Sequence, residues 1–381
     1  MEGFFHRQPV TEKTAEGLQA RAAQRMLPNA ESFRELVDGR RRGLVPAALR
    51  TCLAVAAGPY AAAVGLRSWA FDCGLLAVDR AAIPVVSVGN LTVGGTGKTP
   101  LVAWLAERCA TAGWRPAIIS RGYGAAAGEV SDEAAELGLL LPDIAHYAAR
   151  RRIEAVSAAC RAGATLAILD DGFQHRRLAR DLNLVVIDAT DPFGCYRLLP
   201  RGLLREPLAG LSRADTIILT RTDRVSRETR HEIHQACRRQ TAPRELPWLE
   251  TIHRPRELRA ADGTIRPLTD LIGRSLFGFA GIGNPAPFQS LLEDQQADLV
   301  GFTSFADHHP YSADDVAMLS RQARAVGAEL AVTTLKDLVK LPRDGLAGIP
   351  LVALVIGLEF TTNPAALEQQ LAALQPGKSS P

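Results

Sequence analysis

Residues 83–100 read IPVVSVGNLTVGGTGKTP, and this stretch decides the fold. It opens as a short apolar run of strand type and ends in a glycine-rich turn; helical periodicity follows over residues 100–112 and stops before Gly113. A strand, a glycine loop and a helix in that order frame a phosphate-binding loop. Gly94, Gly95 and Gly97 let the backbone curl so that successive N–H groups face an anion. Lys98 can reach the β- and γ-phosphates of a nucleotide, and the Thr99 hydroxyl can ligate Mg²⁺. The following helix aims its N-terminus at the same anion. The strict pattern begins with glycine where this chain has Thr92. The candidate nucleotide-binding set is therefore Thr92, Val93, Gly94, Gly95, Thr96, Gly97, Lys98 and Thr99.

Further apolar runs occur at 116–120, 164–169, 182–187 and 216–220, with helical segments between several of them. That alternation predicts an α/β fold with a mostly parallel sheet and helices on both faces. The run ending in Asp170 and Asp171 has the form of an apolar strand delivering carboxylates near Mg²⁺. A second unit is expected from about Pro247, with strands at 248–259, 276–281, 330–334 and 351–355 and a closing helix over 365–374.

The chain has 381 residues, 22% of them charged, and a formal net charge of +3, so bulk charge does not argue for nucleic acid. Its six cysteines form no CxxC pair and read as reduced thiols of a cytosolic protein. His231, His234 and Cys237 are spaced by three but lack a nearby fourth ligand; a solvated helix face is the expectation. Residues 1–40 are polar, with no signal-peptide core, and are expected to be a poorly ordered extension. Two helical segments are expected over 41–79. Their apolar run at 51–66 is interrupted by Gly58 and Pro59, so it reads as too short and broken to span a bilayer. With Arg40, Arg41, Arg42, Arg50 and Arg67 around it and Trp69 and Phe71 beyond, it suits a membrane surface; a buried Ala-rich helix pair is the alternative.

Several segments together resemble the tetraacyldisaccharide 4′-kinase family. They are PVVSVGNLTVGGTGKTP (84–100), SRGYG (120–124), SDE (131–133), LDDGFQH (169–175), LLPRGLLREP (198–207), FAGIGNP (279–285), FADHHPY (305–311) and TTLKD (333–337). The resemblance implies transfer of the γ-phosphate of ATP, with Mg²⁺, to the 4′-hydroxyl of a lipid-linked disaccharide 1-phosphate, the lipid A precursor, giving lipid IVA. It implies a RecA-like P-loop domain (41–245) and a smaller α/β domain (246–381) that closes the cleft. It also implies a peripheral location on the cytoplasmic face of the inner membrane, with the helices of 41–79 on the membrane surface, and no nucleic-acid partner.

By position, the resemblance makes Asp132 the general base for the acceptor hydroxyl and His308 its partner, an arrangement that orients the carboxylate and stabilises the transferred proton. Asp170 and Asp171 become the acids that handle Mg²⁺, with Thr99 and Glu206 in the same group, while Arg121, His175 and Arg205 support substrate or the active site. Three departures stand out. The stretch between Gly124 and Asp132 is short, Ala306 stands where the family usually has Pro, and Leu335 where it usually has Glu. A P-loop GTPase is the rival class, but no guanine-reading Asn-Lys-x-Asp is present; residues 220–223, Thr-Arg-Thr-Asp, are the nearest fragment. A membrane-bound ATP-binding scaffold without catalysis would need neither Asp132 nor His308.

Overall fold

The computed structural model describes residues 30–121, 132–307, 309–341 and 345–375. Its centre is β1 (Val85–Gly89), buried at every residue. β1 pairs in parallel with β4 (Leu166–Leu169) on one side and β5 (Leu182–Asp188) on the other. β2 (Pro116–Ser120) and β3 (Ala145–Ala148) extend the sheet beyond β4, and β6 (Thr216–Thr220) extends it beyond β5. These strands read as unbroken apolar runs because both faces are covered. Alternate residues leave in opposite directions. Val86, Val88, Leu184 and Val186 pack with Leu101 and Leu105 of α3 (Lys98–Thr111). Val85 joins Ala155 and Val156 of α5 (Arg152–Arg161), and Val185 and Ile187 join Ile233 of α6 (Arg227–Thr241).

The sheet continues into the second half of the chain without a break, running β10 (Asp298–Ser304), β9 (Ser275–Ala280), β11 (Leu330–Thr334), β12 (Leu351–Phe360), β7 (Trp248–Ala260) and then β6-β5-β1-β4-β2-β3, with β8 (Ile265–Arg266) paired to β7. The connection is made by two long strands. β7 (Trp248–Ala260) starts beside β6, where Ile217 meets Trp248, and ends beside β12 (Leu351–Phe360), where Ala260 meets Val352. β12 runs antiparallel to β7 and returns, so Phe360 lies 4.7 Å from Trp104 of α3. β9 (Ser275–Ala280), β10 (Asp298–Ser304) and β11 (Leu330–Thr334) complete the far end. α7 (Ala286–Glu293), α8 (Ala313–Ala325) and the short α9 (Leu335–Leu338) supply Phe288, Leu319 and Leu335 to two further cores.

Three expectations change. The boundary at 245/246 follows chain order, but packing does not: α10 (Ala365–Ala373) returns with β12 and sets Leu367 and Leu371 into the P-loop core. Within the expected N-terminal extension, α1 (Ala30–Val37) is helical; Val37 is buried and its carbonyl accepts from Arg201. The two segments expected over 41–79 are one 29-residue helix, α2 (Leu44–Asp72), which runs through Pro59 and is long and apolar enough to cross a membrane. Gly58 and Pro59 do not break it. It is neither a buried pair nor a core helix, since Phe71 is its one buried residue and Leu44, Val45, Val55, Leu66 and Trp69 are exposed.

Candidate active site

The parallel pairing of β1 with β4, in register at Ser87 and Leu169, brings the loops that follow them out side by side at the carboxyl edge of the sheet. One is the glycine loop; the other carries Asp170 and Asp171. Gly94 and Gly97 have φ of 117° and 84°, the left-handed region where a side chain is strained. Gly97 is the N-cap of α3 and has no side chain with which to satisfy the first-turn N–H groups, which leaves them for an anion. A Cβ on Gly97 would also lie 2.6 Å from His253 Nε2 on β7. Val93 N–H donates to Leu203 O, and Thr92 bridges to Leu204, so the loop is braced by the 198–207 segment. Thr92 and Thr96 are buried, Gly94 and Gly95 exposed, and Val93 and Thr99 half-buried.

Lys98 stands in the first turn of α3, where the helix dipole disfavours a cation. Its Nζ is 3.2 Å from Asn90 Oδ1 and 3.4 Å from Asp171 Oδ1. Asp171, in left-handed conformation at φ 49°, also receives Arg205 Nη1 on Oδ2 at 2.7 Å. Burial opposes its charge, but Lys98, Arg205 and Arg152 together hold its carboxyl below the usual carboxylate range. Asp170 is buried at the end of β4. Beneath both lies Arg152, 3% exposed, whose guanidinium donates to the backbone carbonyls of Asp170 and Asp171.

Glu206, which the resemblance groups with the Mg²⁺ ligands, is 5% exposed; its Oε2 accepts from Arg213 at 2.6 Å and its Oε1 from Gln174 at 2.8 Å. Oε1 thus braces Gln174, which also donates to Asn90 O at 2.7 Å, and Oε2 is paired with Arg213. Arg205 is held from the other side by Tyr60 of α2, whose hydroxyl donates to its carbonyl at 2.7 Å. His175 is pushed down to about 4, first by burial and then by Arg152, Arg180, Arg67 and Arg121, and is neutral at pH 7. Arg121 is exposed just past β2.

The two proton-transfer candidates are less visible. Asp132 opens α4 (Asp132–Leu140), but its side chain lies outside the described residues, as does His308. Their surroundings are described. Arg259 of β7 donates to Leu139 O, and Leu139 and Leu140 pack on the core that contains Phe277 and Leu335. The helix that begins at Asp132 thus rests on the second half of the chain. Leu335, which replaces the family's usual Glu, is buried there. Beside His308, Asp307 pairs with Lys336 at 2.8 Å and His309 contacts Asp315 at 3.1 Å. Reading by residue type missed Arg152, Asn90, Gln174 and Arg213. Gln174 sits inside the LDDGFQH segment and Arg152 in the arginine cluster at 150–152, but only the fold shows that they support the carboxylate loop.

Over residues 49–375 the sequence matches the family model described as tetraacyldisaccharide-1-P 4′-kinase. The chain belongs to this family. A tetraacyldisaccharide 4′-kinase of Anaeromyxobacter dehalogenans is 41% identical over 309 residues, covering 76% of this chain and 80% of the relative. One from Geobacter sulfurreducens is 37% identical over 357 residues, covering 89% and 97%. The crystal structure of LpxK from Aquifex aeolicus in complex with ATP superposes with a TM-score of 0.67 at 28% identity, covering 86% of this chain and 99% of that one. The kinase family and the α/β P-loop fold agree with the loop geometry around Lys98.

Proposed function

We propose that this kinase transfers the γ-phosphate of ATP to the 4′-hydroxyl of the tetraacyldisaccharide 1-phosphate precursor of lipid A. The observation that carries the reading is Lys98 Nζ at 3.4 Å from Asp171 at the open N-terminus of α3, in a chain of this family. Asp171 neutralises Lys98 and Asn90 Oδ1 accepts its hydrogen bond; on the β- and γ-phosphates Lys98 exchanges those partners for the ligand. The loop N–H groups hold the phosphates and α3 directs its positive end at them.

The donor set suits Mg²⁺. Thr99, in the first turn of α3, and Asp170, just past β4, offer a hydroxyl and a carboxylate, hard oxygen ligands, and phosphate oxygens complete such sites. Asp171, which faces Lys98 and Arg205, would be a further carboxylate ligand. Bound Mg²⁺ supplies charge neutralisation of the phosphate oxygens. Arg205 and Arg121 orient phosphate groups, and neutral His175 supports the carboxylate loop. Asp132 takes the proton of the acceptor hydroxyl with His308 as its partner.

Two lobes carry out this work: 41–245 together with the returning α10, and the remainder of 246–381. β7 and β12 join them, and the cleft closes over substrate. α2 lies on the cytoplasmic surface of the inner membrane, its exposed apolar residues among lipid and its other side tied to the site. The test is phosphate transfer from radiolabelled ATP to purified disaccharide 1-phosphate in detergent micelles. Labelled bisphosphate product is expected from wild type; ATP hydrolysis without label in the lipid would overturn the acceptor assignment.

A further inference from the structure

A phosphate loop binds only while its N–H groups face inward, and each peptide plane that turns an N–H inward turns a carbonyl outward. In this chain three carbonyls of the loop are tied by side chains. Asn90 Nδ2 donates to Thr92 O at 2.8 Å, Thr220 Oγ1 to Thr96 O at 2.9 Å, and Arg221 Nη2 to Gly95 O at 3.1 Å. Thr220 and Arg221 belong to the fragment at 220–223, the nearest in the sequence to a guanine-reading motif but without its residues. Thr220 ends β6 and is fully buried. Arg221 has φ 56°, a left-handed turn whose strain calls for a compensating contact. Its Nη1 pairs with Asp188 Oδ2 at the end of β5, and Asp188 is itself fixed by Thr190, whose N–H and hydroxyl donate to Oδ1 at 2.9 and 2.7 Å. The guanidinium therefore spans from a fixed, mostly buried carboxylate to the middle of the loop.

We propose that Arg221 is a positioning residue for nucleotide binding: anchored on Asp188, it holds the Gly95 carbonyl outward and so keeps the adjoining N–H groups aimed at the phosphates. Thr220 does the same for the next carbonyl. Arg221 acts through the loop and not on the acceptor. The inference rests on residues 92–99 being the nucleotide site, but not on the identity of the acceptor.

The experiment measures ATP binding by calorimetry with Mg²⁺ and no acceptor, and then kinetics with the disaccharide substrate, on the full-length chain. Arg221→Ala is expected to weaken ATP binding and raise KM for ATP about tenfold, the scale of one hydrogen bond to a charged group. kcat at saturating ATP and KM for the disaccharide should stay within about twofold. Arg221→Lys, which keeps the charge and one donor, should recover part of the loss. Asp188→Asn should resemble Arg221→Ala, and the double variant should be no worse than either single one, because both act on one contact. Unchanged ATP affinity in Arg221→Ala would overturn the proposal, as would an equal fall in kcat, failure of Arg221→Lys to restore any binding, or additive losses in the double variant. Wild type that binds no ATP would instead overturn the nucleotide-site reading.

Discussion

At the scale of single residues, the site is held by charges that neutralise one another until substrate arrives. Lys98→Ala removes the counter-charge of the β- and γ-phosphates and is expected to lower kcat by at least about 10²-fold, the scale seen when one preorganised donor is lost. The fold should survive, since Asp171 keeps Arg205 and Arg152; a melting curve beside the rate assay checks both halves. Gly97→Ala is expected to be worse for folding than its size suggests. It adds about 1–2 kcal/mol of left-handed strain and drives a methyl into His253; thermal unfolding measures the loss. His253 and His175 also set a pH dependence. Burial pushes His253 down to about 4, helped by Arg221 and opposed by Asp188, and His175 lies at about 4 for the reasons given above. Their unfolded values are near 6.5, so the unfolded chain takes up more protons between those limits. The stability contributed by the two neutral rings is fully present above about pH 6.5 and is lost as pH falls toward 4. Melting temperature should drop over that window, and the drop between pH 6.5 and 5 should be shallower in His175→Asn. An identical slope in the variant would remove His175 from this account.

At the scale of elements, α2 is a single long helix despite an internal proline. Pro59 forfeits one backbone hydrogen bond, yet the helix continues through it, because its second half is tied to the protein body. Arg67 donates to Gln174 O at 3.1 Å, Arg176 reaches Ser68 O and pairs with Asp72 at 2.5 Å, and both guanidiniums lie over the Phe71 ring. These contacts join the apolar helix to the LDDGFQH loop, so a helix with exposed apolar residues and the carboxylate loop share partners. The first half carries Leu44, Val45, Leu49 and Val55 outward, with Arg50 anchored on α1 through Leu36 O. The expected outcome in sedimentation assays is binding to anionic vesicles that salt weakens without abolishing, since buried apolar area adds to screened charge attraction. Val55→Asp combined with Leu66→Glu should release the protein while leaving ATP affinity unchanged. Release of ATP affinity as well would mean that the exposed face supports the nucleotide site and not the membrane.

At the scale of the whole molecule, β7 and β12 make the two halves one sheet, and α4 rests on the far half while carrying Asp132 at its start. If Asp132 and His308 act as one proton-accepting unit across that junction, each alanine variant is expected to lower kcat by about 10²–10⁴-fold. The double variant should lose little more than either single one. A double-mutant cycle on kcat at saturating ATP is the check, and multiplicative losses would assign His308 a separate task. The glycine loop, its flanking strand and helix, and the acid pair after the next strand were legible in the linear sequence because each is a local pattern: backbone curl needs glycine, and a buried parallel strand needs an apolar run at both parities. The family segments were legible as a resemblance, by their residues in order. What only the tertiary structure decided involves partners far apart in the chain. Glu206 is only a carboxylate in a family segment until the fold sets Arg213 and Gln174 on its oxygens. Arg221 reads as a failed guanine motif until it is seen bridging Asp188 and Gly95. The boundary at 245/246 reads as a clean division until β12 carries α10 back into the first core. Local sequence sets backbone conformation and the burial of each element, whereas the balance of charge and the closure of the sheet depend on which distant elements meet.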